Sequence, residues 1–78
     1  MLKPSFFTER ARLYRLCHAY GLICWEIGGS SEYIEVGLNP LDGPFLQVNK
    51  KLLRSDSDWE NLENSVVKIS METGAWTM

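Results

Sequence analysis

Two amphipathic segments with stop signals at both ends bracket three short alternating segments, and together they occupy nearly all of a 78-residue chain. That leaves sequence for one small domain and little else. The expected fold is α+β. It is a two-layer α/β sandwich, a three-stranded antiparallel sheet with two helices on one face, in the order α-β-β-β-α. Residues 1–78 form a single domain in this reading.

The first helix is expected from Ser5 to Tyr20. Ser5 or Thr8 supplies the capping oxygen, and Gly21 suits the stop. Phe6, Leu13, Leu16, Cys17 and Tyr20 fall on one side, Phe7, Ala11 and Tyr14 form a flanking row, and Arg12 and Arg15 face solvent. Gly28-Gly29-Ser30-Ser31 then reads as hairpin turn chemistry. With Gly29-Ser30 as the loop, Trp25 pairs with Ile34 and Cys24 with Glu35. Ile23, Trp25, Ile27, Ile34 and Val36 then share the core face, and Cys24, Glu26, Tyr33 and Glu35 share the outer one.

Asn39-Pro40-Leu41-Asp42-Gly43-Pro44 is a loop, and a third strand runs from about Phe45 to Asn49. Leu46 and Val48 join Leu38 in the core, leaving Phe45 and Gln47 outside. The second helix opens on a capping box of Ser57 and Glu60, with Asp56 and Asp58 at the favourable end of the helix dipole. Trp59, Leu62, Val66 and Ile69 give its core stripe, and Gly74 ends it. A rival hairpin pairs Val67–Ser70 with Ala75–Met78. The agreement of cap and stripe favours the helix.

Composition narrows the class of function. A chain 45% hydrophobic and 23% charged is that of a globular protein. It contains no apolar run approaching the ~20 residues of a membrane span. No apolar stretch of signal-peptide length follows Met1, so a cytoplasmic location is expected, with Cys17 and Cys24 as reduced thiols. The net charge of −2 is uneven, because Asp56, Asp58, Glu60, Glu63 and Glu72 crowd the last third against Lys68 alone. That balance argues against generic nucleic-acid binding.

No motif with catalytic chemistry emerges. Cys17 and His18 are adjacent on a helix, so their side chains diverge by about 100°, and no third group orients them. Cys17, His18 and Cys24 lack metal-ligand spacing. Glu26 and Glu35 share a face but no pocket to raise one pKa. Gly28-Gly29 leads into a strand without a G-K-S/T. The expectation is a non-enzymatic protein with no cofactor and no metal.

Lys50, Lys51 and Arg54 stand at the entry to the second helix. The helix–strand–strand–strand–helix order with basic residues at that junction resembles double-stranded-RNA-binding domains. In that family lysines and an alanine-rich helix start contact phosphates across a groove. The resemblance implies a nucleic-acid surface of Arg12, Arg15, Lys50, Lys51 and Arg54. This chain departs from the family at Ser55-Asp56-Ser57-Asp58, where two aspartates repel phosphate.

The leading expectation is therefore a small protein-interaction module, an inhibitor or adaptor that binds a larger, nucleic-acid-handling protein complex. An anti-defence protein of a phage or mobile element is the context that fits this size and charge. Two surfaces carry the partner: the outer sheet face with Tyr33, Glu35, Phe45 and Glu26, and the acidic helix with Asp56, Asp58, Glu60 and Glu63. Edge strands and spare aromatics also make a homodimer an expected alternative.

Overall fold

The structure is a computed structural model that describes residues 4–75, with side chains described for residues 11–29 and 32–75. Its elements are α1 (Pro4–Ala19), β1 (Ile23–Ile27), β2 (Ser30–Gly37), β3 (Leu46–Asn49), a 3-10 turn (Lys50–Leu52) and α2 (Asp56–Thr73). The strands form one antiparallel sheet in the order β1-β2-β3. The α-β-β-β-α sandwich expected from the sequence is the one observed.

Leu13 and Cys17 of α1, Ile34 and Val36 of β2, Val48 of β3, and Trp59, Leu62, Val66 and Ile69 of α2 form one buried cluster with Leu22. Both helices therefore cover the same sheet face. The core stripe read along α2 is buried in full, and the rival hairpin is excluded up to Thr73. Of its proposed second strand, Ala75–Met78, Ala75 is a turn residue and residues 76–78 lie outside the described residues. Phe6 and Phe7 also lie outside the described side chains.

α1 ends as the sequence suggests. The Gly21 N–H donates to the His18 carbonyl at 3.1 Å and the Leu22 N–H to that of Cys17 at 2.9 Å, the paired bonds of a Schellman stop. Gly21 takes a φ of 77°, and a Cβ there would lie 2.6 Å from the Ala75 carbonyl oxygen. The chain leaving α2 thus passes directly against the end of α1. Nearby, the buried Ser70 hydroxyl donates to the Tyr20 carbonyl at 2.6 Å. Arg12 meets Trp59 toward the other ends of the helices, so α1 and α2 run in the same direction across the sheet.

The start of α2 differs in detail from the expected box. Ser55 is the N-cap and Asp58 the reciprocal partner, two residues before the Ser57–Glu60 pair. Asp58 Oδ2 accepts the backbone N–H groups of Arg54 at 3.0 Å and Ser55 at 2.9 Å. These bonds hold its carboxyl below the ordinary aspartate range. A shorter acid suits this position because it reaches back to two amides at once.

The largest departure is in the hairpin. Gly28 and Gly29, with φ of 65° and 69°, are themselves the two-residue loop, since Ile27 pairs with Ser30. Positive φ at both central positions defines a type I′ turn, which glycine adopts without strain. The ladder then slips, and Glu26 pairs with Ile34, Trp25 with Glu35, Cys24 with Val36 and Ile23 with Gly37. The register thus passes from Ser30 to Ile34 on β2 over a single step on β1. β1 is therefore one residue out of the expected register, and its two faces are exchanged. Cys24 packs against the core, while Ile23, Trp25 and Ile27 point outward. Glu26 lies on the helix-side face with Ile34. Leu38, expected in the core, follows the end of β2 and is 44% exposed.

Two results would test this arrangement. Cys24→Lys should unfold the domain at room temperature, whereas Ile23→Lys should change its urea midpoint by no more than about 0.5 kcal/mol of stability. The opposite ranking would restore the unslipped register. Ser55→Ala should cost about 1 kcal/mol. Asp58 has a folded pKa below its unfolded one, so its contribution is complete above about pH 4 and lost as pH falls through the folded value. The urea-midpoint gap between wild type and Asp58→Asn should accordingly hold at neutral pH and close in acid.

Candidate functional site

With both helices on one side, the other sheet face is open to water. The slipped register loads that face with aromatic and aliphatic side chains. Ile23, Tyr33 and Phe45 are 40%, 41% and 38% exposed, and Trp25, Ile27 and Glu35 are half-buried beside them. The Phe45 ring meets Trp25 edge-on, with centroids 5.5 Å apart and planes at 89°. Such a pair contributes about 0.5–1.5 kcal/mol beyond area burial.

Gly37 makes that pair fit. It is buried beneath both rings, and a Cβ there would lie 3.1 Å from Phe45 Cδ1, 3.3 Å from Trp25 Cη2 and 3.3 Å from the Pro44 carbonyl. The absent side chain is the floor on which the rings rest. Trp25 Nε1–H donates to Glu35 Oε1 at 3.1 Å, directly across the β1–β2 ladder. The indole is thereby fixed at its polar end as well. Alongside, Ile27, Gly28, Tyr33 and Gln47 line a shallow hollow of about 310 Å³.

The expected partner-binding residues divide among several places. Tyr33, Glu35 and Phe45 do share the outer face. Glu26 does not, because its pairing with Ile34 sends it to the other side. The idea of a Glu26–Glu35 carboxylate pair falls with it. Asp56, Glu60 and Glu63 are exposed on α2, in the other layer. Asp58 is spent on the helix cap, and Glu63 accepts the Tyr20 hydroxyl at 2.7 Å. That bond to a carboxylate raises the Tyr20 pKa.

The basic residues are likewise separated. Lys51 Nζ lies 3.1 Å from Glu32 Oε2, and Arg54 stands beside the ionised Asp58. Arg12 lies over the Trp59 ring, 4.4 Å from its centroid, and shares a groove with Arg15. Arg12 is thus stacked on a ring, not simply solvated. Both cysteines are free thiols. A hydrogen bond with Cys24, together with burial, pushes the Cys17 thiol far above its ordinary range, which suppresses the nucleophilic thiolate. Among the described residues no group of three or more His, Cys, Asp and Glu could hold a metal ion. Nor is any described helix long and apolar enough to cross a membrane.

Ile23, Trp25 and Ile27 are the outer-face residues that sequence reasoning misses. The alternation of Ile23, Trp25 and Ile27 with Cys24 and Glu26 points the three large apolar residues inward, and the observed pairing reverses it. Gly37 is the available signal, since a strand glycine often marks a place where a large neighbour approaches. Searches against protein-family models, curated proteins and solved structures return no match for this chain.

Gly37→Ala tests the platform directly. It should move the Trp25 indole N–H and Phe45 ring resonances while leaving the α2 amides, remote from that face, in place. Unmoved ring signals would show that the aromatic pair does not rest on Gly37.

Proposed function

We propose that this chain is a non-enzymatic interaction domain, an inhibitor or adaptor, that docks a larger protein through the outer face of its sheet. The observation that carries this reading is the fixed aromatic pair. Trp25 and Phe45 are held by Gly37, by Glu35 and by each other, so little side-chain freedom remains to be lost on binding. Rigid aromatics in the middle of a patch are the usual anchors of protein interfaces. Around them Ile23, Ile27 and Tyr33 extend the apolar area, and Glu35 places a charged side chain among them. A partner suited to this face offers an apolar surface with hydrogen-bond donors opposite Glu35 and Tyr33. A cytoplasmic setting belongs to the same proposal and is supported by the two free thiols.

The nucleic-acid reading draws less support from the geometry. Lys51 is engaged by Glu32, and the ionised Asp58 sits where phosphate would approach the start of α2. Phosphate-driven binding would appear as a low-salt gel shift that collapses as salt rises.

The test is co-purification from the native host, identification by mass spectrometry, and titration of the purified partner with wild type and a Trp25→Ser/Phe45→Ser variant. Interface anchors of this kind are worth about 2 kcal/mol or more each, so affinity should fall at least about thirtyfold. An unchanged affinity in a folded variant would remove the sheet face as the docking surface. Light scattering on the pure protein separates a second copy from a different partner. A duplex-RNA shift would favour the nucleic-acid reading instead.

A further inference from the structure

A second surface, in the helical layer, has the makings of an anion site. Arg12, Arg15 and Leu16 of α1 face Trp59 and Glu63 of α2 across an open groove of about 300 Å³, at the small end of ligand pockets. The Arg12 guanidinium carbon lies over the Trp59 ring, 4.4 Å from its centroid. A guanidinium has five N–H donors, so one that lies over a ring retains donors for a bidentate acceptor. Arg15, three residues on along α1, brings a second cation to the same groove.

The one carboxylate lining this groove, Glu63, is directed to a neighbouring hydroxyl and not to the arginines. Glu63 Oε2 accepts the Tyr20 hydroxyl at 2.7 Å, and among the described residues no carboxylate forms an ion pair with Arg12 or Arg15. The groove therefore holds two guanidinium groups against one carboxylate, beside the apolar surface of Leu16 and Trp59.

We propose that this groove binds a peptide carboxylate carried next to an apolar side chain. Charge complementarity selects an anion, and the apolar floor selects a ligand with a hydrocarbon body. The neighbouring Glu60 and Glu63 select against a polyanion. A nucleic-acid strand would bring a row of phosphates past those carboxylates, whereas one carboxylate enters between the arginines alone. The site is distinct from the outer sheet face and does not depend on it.

The experiment uses the isotope-labelled full chain and three short apolar peptides of equal length. One has a free C-terminus, one is amidated, and one is amidated with an internal glutamate. Arg12 and Arg15 Nε–H and the Trp59 indole N–H should shift with a carboxylate-bearing peptide and not with the neutral one. Whichever acid binds more tightly identifies a terminal or a side-chain carboxylate as the ligand. Arg12→Gln and Arg15→Gln should each weaken binding about tenfold, with amide spectra otherwise unchanged, and added salt should weaken it further. Equal shifts with the neutral peptide, no shift with either acid, or tighter binding of duplex RNA to the same residues would each overturn the proposal. Loss of sheet-face docking in the Trp25→Ser/Phe45→Ser variant leaves this readout unaffected, so the two proposals fail separately.

Discussion

The pairing of β1 with β2 decides what this molecule shows to its surroundings. Side chains in a strand alternate strictly, so the ladder that joins Glu26 to Ile34 fixes every residue of β1 to one side or the other. Cys24 enters the core against Cys17, and Trp25 with its flanking isoleucines is driven outward. A conventional two-residue glycine turn would by itself set a different register. The irregularity over Ser31–Tyr33 absorbs the difference and lets both the tight turn and the packed core stand.

From that choice follows an outer face built like an interior. Gly37 gives up a side chain so that two rings can lie on the backbone, and Glu35 satisfies the indole N–H that would otherwise need water. Exposing several large apolar groups costs solvation free energy, which a single folded copy does not recover. A partner that covers them recovers it, and their fixed geometry lowers the ordering cost of doing so.

The helical layer obeys a different logic. The two helices run in the same direction and are joined at their ends by Ser70 and by the close passage of Ala75 over Gly21. Toward the start of α2 the joint is Arg12, midway along α1, on Trp59. Between the helices Glu63 accepts the Tyr20 hydroxyl and lines one groove with Arg12 and Arg15. Charge on this protein is thus sorted by local bonds more than by composition. Acidic residues dominate the last third of the chain, yet a cationic groove opens beside them.

Much of this was legible before any coordinates. The chain order of elements, the α2 stripe of Trp59, Leu62, Val66 and Ile69, the stops at Gly21 and Gly74, and the inward Ile34, Val36 and Val48 follow from periods of 3.6 and 2.0 and from turn chemistry. Those signals are local, and each residue carries its own. The facing of β1 is not local, because its alternation points Ile23, Trp25 and Ile27 inward and only the pairing with β2 turns them out. The same holds for the cap, where the sequence pattern favours Ser57–Glu60 and the folded chain uses Ser55–Asp58. Tertiary structure alone placed Trp25 on Gly37 and Arg12 on Trp59, since both contacts join residues that no periodicity relates.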